Sequence, residues 1–542
     1  MLIENFIANY ARKKNENYLQ FKPSETIIIP RNKGNVPTLL YIHVPFCEEL
    51  CPYCSFNRVR FQEDLARAYF DALRKEIVMY KDLGYDFKAL YAGGGTPTIL
   101  IDELEKTVLL IREMFNITEI SVETNPNHLT QDNINKLREM GVNRLSVGVQ
   151  TFDDGLLKTI ERYHKYGSGE DIKERLSYTQ GNFQTLNVDM IFNFPTQSME
   201  ILEKDLSTII ELMVDQVTYY PLMVSSFTKD IMNKKLGTVD YDRGNEFYRK
   251  ITEMLSPQYK ASTAWCFSRK DKIFKSGATQ ATISSEVFSS HSEREGEAQP
   301  ALQTKGATQA RISSEVFSSH SEREGEARSA LQTKGATQAR ISSEVFSSHS
   351  EREGEAQSAL QTKGATQARI SSEVFSSHSE REGEAQSALQ TEGATQAPVI
   401  DEYVVNYEEY AGLGSGSIGY LGGSAYANTF DIKEYIDKIN RGSLPVIAIK
   451  NFSMKERLCY DLLMKLFGLS LDTQQLTQKH GVNAYRYLWS EILFFRLTGG
   501  IEKKDSMLML TKKGQYYWVL MMREFFIGVN NFRDFCRAQN KT

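Results

Sequence analysis

The chain has 542 residues, 41% hydrophobic and 25% charged, enough for more than one domain with a sizeable core. A formal net charge of −5 without a basic cluster excludes a nucleic-acid-binding face, and no apolar run is long enough to span a membrane. Six cysteines with no signal peptide ahead of them point to a reducing, cytoplasmic setting, where the Asn-x-Ser/Thr matches at Asn116 and Asn451 carry little weight as glycan sites.

Residues 1–36 form an N-terminal extension, and the first predicted strand is TLLYIHV at 38–44. It runs into YIHVPFCEELCPYCSF, where Cys47, Cys51 and Cys54 have CX3CX2C spacing. Three thiolates so spaced suit three irons of a [4Fe-4S] cluster and leave the fourth open. S-adenosylmethionine can chelate that iron, and an electron from the cluster then breaks its sulfonium bond to release a 5'-deoxyadenosyl radical. A zinc site normally needs a second cysteine pair, and none follows; Cys266, Cys459 and Cys536 are isolated. His43 lies four residues before Cys47 and is expected near the cluster without ligating it.

Next comes a helix with Leu65, Tyr69, Leu73, Ile77 and Tyr80 on one face. FKALYA at 87–92, ITEISVET near 117, RLSVGV near 144, LNVDMIF near 186 and VTYYPLM near 217 are five more strands. Thr130 starts and Gly141 ends a helix between the third and fourth. Six strands alternating with helices predict an α/β fold with a parallel sheet curled into a barrel or part of one. Cys47, Gly93 to Thr96, Glu123 and Gln150 all fall at strand C-terminal ends, the rim where such folds build active sites.

From Gly277 the pentapeptide GATQA recurs every 29 residues, at Gly306, Gly335, Gly364 and Gly393. The copies are nearly identical, as in recent tandem duplication. Residues 277–392 hold 17 acidic and 11 basic side chains, a net of −6, so the remaining chain is close to neutral at +1. Each copy has too few large apolar residues for a packed solenoid, and a low-complexity excursion is expected. His291, His320, His349 and His378 are copies of one residue rather than a metal array.

Beyond the insertion, EEYAGLGSGSIGYLGG contains a literal GxGxxG at Gly414, Gly416 and Gly419. Tyr420 to Gly423 follow instead of a helix, so a dinucleotide fingerprint is excluded and a close-approach loop is expected. MKERLCYDLLMKLFG, LTQKHG and NAYRYLWSEILFFRL then predict helices, KKDSMLMLTKKGQYYW a hairpin, and YYWVLMMREFFIGV a final amphipathic helix interrupted by Arg523 and Glu524.

The ordered motifs YIHVPFCEELCPYCSF, YAGGGTPT, ISVETNPN, NRLSVGVQTFDD and NVDMIFNFP resemble the radical SAM superfamily, and within it the oxygen-independent coproporphyrinogen III oxidase family. That resemblance implies a partial (β/α)6 TIM-like barrel at 37–268, a repeat insertion at 269–399, a continuation at 400–450 and a winged-helix-like domain at 451–542. It implies that Cys47, Cys51 and Cys54 hold the [4Fe-4S] cluster. Tyr41, Tyr53, Gly94, Gly95, Thr96, Glu123, Gln150, Arg162 and Asp189 match positions that contact S-adenosylmethionine. The implied partners are a tetrapyrrole, either haem or coproporphyrinogen III, and an electron donor such as flavodoxin or ferredoxin. No catalytic residue beyond this set is assigned; Arg58 and Arg60 are candidate partners for propionates.

The oxidase itself carries a further cysteine two residues past the last ligand, where this chain has Ser55 and Phe56. The HNxxYW-type segment of the related haem chaperone is absent. TAWCFSR, IDEYVV and YAGLGSGS resemble the branch that opens haem anaerobically with methyl transfer. Haem ring opening is therefore expected ahead of decarboxylation of coproporphyrinogen III, with haem binding without turnover third.

Overall fold

The computed structural model describes residues 2–18, 22–23, 29, 38–272 and 409–539. The chain divides into two compact units, one of residues 1–273 with 398–542 and one of 274–397. The 29-residue copies, their four histidines and IDEYVV lie outside the described residues.

The first unit is built on six parallel strands in sequence order: β1 (Thr38–Val44), β2 (Phe87–Gly94), β3 (Glu119–Thr124), β4 (Arg144–Gln150), β5 (Thr185–Phe192) and β6 (Gln216–Pro221). Each pairs with the next, with Val44 opposite Gly94, Glu123 opposite Ser146 and Gly148 opposite Asp189. All six match the periodicity, although β2 runs on through Gly93 and Gly94 and β3 begins only at Glu119. The strands read as apolar runs because helices cover them; Glu63–Asp82 buries Tyr69, Leu73, Ile77 and Tyr80. The helix predicted after Thr130 spans Gln131–Glu139, with the Thr130 hydroxyl accepting from the Asn133 amide at 3.3 Å.

The sheet stays open. Glu409–Leu413 adds a seventh parallel strand beside β1, and antiparallel strands extend both edges to a total of 13 among the described residues. The glycine-rich segment is the tight turn from Glu409–Leu413 to Ile418–Leu421, with Gly414 at φ +93° and Gly416 at φ +80°. A Cβ on Gly414 would stand 2.6 Å from the His43 carbonyl, so the turn does approach another chain segment closely. The turn is held by the buried Glu76 carboxylate, which accepts from the Gly414 amide at 2.8 Å, Tyr435 Oη at 2.6 Å and Asn428 Nδ2 at 3.1 Å.

The last segment contains the helices Met454–Phe467, Thr473–His480, Ala484–Tyr487 and Trp489–Leu497. A three-stranded antiparallel sheet (Ser470–Asp472, Met507–Leu510, Ile501–Lys504) accompanies them before the long helix Lys512–Gln539. Arg523 and Glu524 do not mark a solvent face of that helix. Both are buried, bonded to each other at 2.8 Å, and Glu524 also pairs with Arg12 of the N-terminal helix Leu2–Tyr18 at 3.1 Å. None of the described helices is long and apolar enough to cross a membrane.

Candidate active site at the strand C-terminal ends

The chain leaves β1 into the cysteine loop, which is closed where Phe46–Cys47 pairs with Val59–Arg60. The Arg58 guanidinium sits inside, donating to the Cys51 carbonyl at 2.6 Å and to that of Cys54. With its backbone so held, the loop presents Cys47, Cys51 and Cys54 to a cavity of about 330 Å³. Burial pushes the Cys47 thiol up to about 12, reinforced by Cys54 and opposed by Thr96 and Arg58. Only a bound cation would make it a thiolate at neutral pH. Among the described residues no three His, Cys, Asp or Glu side chains are gathered closely enough for one metal ion. Three thiols presented from one loop at CX3CX2C spacing suit a polynuclear iron–sulfur group.

The turn after β2 is stitched onto this loop. The Gly95 amide donates to the Val44 carbonyl at 2.7 Å and the Thr96 amide to that of Phe46 at 2.8 Å. A Cβ on Gly95 would meet the Phe46 carbonyl at 2.6 Å, and Gly94 adopts φ +113° with the His43 ring equally close. Glu123 receives the Gly94 amide at 2.9 Å and Tyr91 Oη at 3.0 Å. Asn125 Nδ2 donates to Thr96 Oγ1 at 2.9 Å, and that hydroxyl lies 3.8 Å from Cys47 Sγ. Asp189 accepts from Ser146 Oγ and Asn187 Nδ2, both at 2.8 Å. Gln150 takes φ +76° where the β4–β5 register shifts, a strained backbone of the kind found at ligand sites.

Arg162 is buried, not an exposed helix residue. Its Nη1 lies 3.4 Å from Tyr53 Oη and 3.6 Å from Cys51 Sγ, Nη2 donates to Asn125 Oδ1 at 3.2 Å, and its plane lies 3.9 Å from the Tyr166 ring centroid. Its Nε is buried with no hydrogen-bond partner. Burial disfavours its charge, but Tyr53, Tyr166 and Cys51 outweigh that and hold it firmly protonated. His43 uses both ring nitrogens within the protein. Nε2 donates to the Asn57 carbonyl at 2.7 Å, which leaves Nδ1 to accept from Tyr41 Oη at 2.8 Å. Burial lowers it to about 4, so it stays neutral and is not available as a ligand.

Of the twelve residues expected here, all but Thr96 line the one cavity. Of the two candidate partners for propionates, Arg58 lines the cavity while donating to the cysteine loop, and Arg60 is exposed on its short strand. Sequence reasoning missed Tyr91, Asn125 and Tyr166, although the first two lie within quoted motifs. It also missed Phe526 and Asn530, which come from the distant C-terminal helix. These two, with Tyr41 and Phe56, also border a smaller cavity of about 170 Å³ walled by Tyr410, Tyr420, Phe452, Tyr460 and Phe525.

With this geometry in place, comparison with known proteins bears on the same part of the chain. Residues 41–209 match the radical SAM superfamily. Heme chaperone HemW of Bacillus subtilis is 36% identical over 195 residues, covering 35% of this chain and 51% of that one. Oxygen-independent coproporphyrinogen III oxidase of Escherichia coli is 35% identical over 192 residues, covering 34% and 41%. The chain thus spans about half the length of the curated relatives it matches. The solved structure of coproporphyrinogen III oxidase (HemN) from Escherichia coli, a radical SAM enzyme, covers 94% of this chain and 95% of its own, with TM-score 0.59 and 18% identity. At that identity the likeness concerns the fold. Residues 41–209 are therefore similar to the radical SAM superfamily, with HemW and HemN among the related proteins, and that likeness implies a [4Fe-4S] cluster and S-adenosylmethionine.

Proposed function

We propose that this chain is a radical SAM enzyme acting on a tetrapyrrole, and specifically that it opens haem anaerobically with methyl transfer. The observation that carries the enzymatic part is the single cavity onto which Cys47, Cys51, Cys54 and the polar strand ends converge. Cys47, Cys51 and Cys54 would hold the [4Fe-4S] cluster. The turn at Gly94, Gly95 and Thr96 would hold the methionyl part of S-adenosylmethionine, because Gly94 and Gly95 bring backbone to the cavity wall where His43 and Phe46 leave no room for a Cβ. Glu123, Gln150, Arg162 and Asp189, with Tyr41 and Tyr53, would orient the rest. When bound, the cluster and S-adenosylmethionine supply one-electron cleavage of the sulfonium bond. The protein's own contribution is to position the cofactor, exclude water with Tyr53, Tyr166 and Phe526, and keep Arg162 charged beside the thiols.

The choice of haem ring opening rests on Ser55 and Phe56, which stand where the oxidase resemblance calls for a further cysteine, and on TAWCFSR and YAGLGSGS. Haem binding without turnover is the second reading, favoured by the identity to proteins named heme chaperone. Domain boundaries at 37–268, 400–450 and 451–542 belong to the same proposal, as does an electron donor such as flavodoxin or ferredoxin. The test is anaerobic incubation of the reconstituted protein with reductant, S-adenosylmethionine and haem, followed by chromatography with mass detection. A methylated, ring-opened product is expected. Intact bound haem would favour the carrier reading, and carbon dioxide from coproporphyrinogen III would favour decarboxylation.

A further inference from the structure

The C-terminal helix reaches the cysteine loop with two arginines. Arg533 is buried; its Nη1 donates to the Ser55 carbonyl and to Asn530 Oδ1 at 2.8 Å, while Nε has no partner. One turn on, Arg537 Nη2 donates to Asn57 Oδ1 at 2.5 Å, and Asn57 in turn donates to the Ser415 carbonyl at 2.9 Å. Arg58 holds the Cys51 and Cys54 carbonyls from within the loop. Burial lowers the Arg533 guanidinium to about 10, and the neighbouring Arg537 charge adds to the effect.

Buried charge is normally paired, because desolvation costs several kcal/mol per ion (on the order of the effective values for real proteins). The carboxylate that acts on Arg533 and Arg537 is Asp534, from the same helix. Three guanidiniums therefore bracket the segment from Cys51 to Arg58 against that one acid. The negative charge missing from the balance is that of three thiolates on an iron–sulfur cluster, which becomes more negative on reduction. Fixed positive charge beside such a cluster favours its reduced form.

We propose that Arg533 and Arg537 are positioning residues that fix the Ser55–Asn57 backbone and provide countercharge for the cluster, so that the C-terminal helix sets its reduction potential. This rests on Cys47, Cys51 and Cys54 being the cluster ligands.

The test uses full-length protein reconstituted with iron and sulfide, without S-adenosylmethionine. It is poised at one fixed potential, and the reduced cluster is quantified by electron paramagnetic resonance. Arg533→Gln and Arg537→Gln are each expected to lower the reduced-to-oxidised ratio about tenfold, equivalent to about 59 mV for a one-electron couple. Arg533→Lys, which keeps the charge, is expected to stay near the wild-type ratio. Unchanged ratios in both Gln variants would overturn the proposal. So would a shift in Arg533→Lys equal to that in Arg533→Gln, which would place the effect in loop geometry. A third overturning result is an unchanged ratio with lost affinity for S-adenosylmethionine, which would assign the guanidinium to a ligand carboxylate. If Arg533→Gln does not load iron, Arg537→Gln and Arg533→Lys decide by the same ratios. Failure of the wild type to assemble a cluster would refute the ligand assignment instead.

Discussion

Two polar centres lie on either side of His43, and they are built on opposite principles. Around Glu76 the carboxylate receives three donors, from Tyr435, Gly414 and Asn428, and every one comes from the protein. In the cysteine cavity the polar groups are held at one end and left open at the other. Arg162 keeps a buried Nε without a partner, and three thiols face a shared space. Glu76 is bonded like a structural pin, whereas the cavity is bonded like a receptacle. Burial alone does not distinguish them, since Glu76 and Arg162 are both almost fully enclosed.

That contrast is broken most directly at the thiols. Cys51→Ala is expected to abolish cluster assembly, read as lost iron and lost visible absorption, while the far-ultraviolet dichroism stays that of the wild type. The converse substitution, Glu76→Leu, should leave the thiols in place but destabilise the fold by about 3–5 kcal/mol, because three buried donors lose their acceptor. Chemical denaturation checks it. A loss below about 1 kcal/mol would show that the Glu76 centre is not a pin.

A finer test uses pH. Burial raises Glu76 to about 7 in the folded protein, against an ordinary value of 4.5, the hydrogen bonds from Tyr435, Gly414 and Asn428 only partly opposing it. The neutral carboxyl is thus favoured in the folded state. Its contribution is complete below about pH 4.5 and is lost as pH rises to about 7, on the order of 3 kcal/mol in total. Asp205, also raised to about 7 by burial, slopes the same way. Subtracting the profile of Glu76→Gln from that of the wild type should isolate the Glu76 share.

On the cavity side, Arg162→Met should lower S-adenosylmethionine cleavage about 10²-fold, as for loss of one preorganised donor, with little change in melting temperature. The smallest effect is expected outside both centres. Deleting residues 277–392 removes sequence confined to the second compact unit and should leave cluster content and cleavage rate unchanged.

The glycine turn shows how much of this was legible beforehand. GLGSGSIGYLGG excluded a dinucleotide fold because no helix follows, and the structure has a strand there. That the turn would be anchored by Glu76, more than 300 residues earlier, was not legible, since one acid among apolar helix positions carries no mark of its partner. Nor was the burial of Arg523 and Glu524 legible, for the same reason. Charges in an apolar helix read as solvent-facing until a mutual ion pair and Arg12 from the other end of the chain are known.

By itself the sequence determined the six parallel strands, the cysteine spacing and the gathering of functional residues at the strand ends. These follow from local periodicity and from the rule that successive crossovers place like ends together. Only the tertiary structure decided that Arg58 braces the cysteine loop, that His43 is neutral and fully bonded, and that the C-terminal helix closes the site with Phe526 and Asn530. Each depends on which distant backbone carbonyl or side chain a polar group meets after packing, and chain spacing does not encode that meeting.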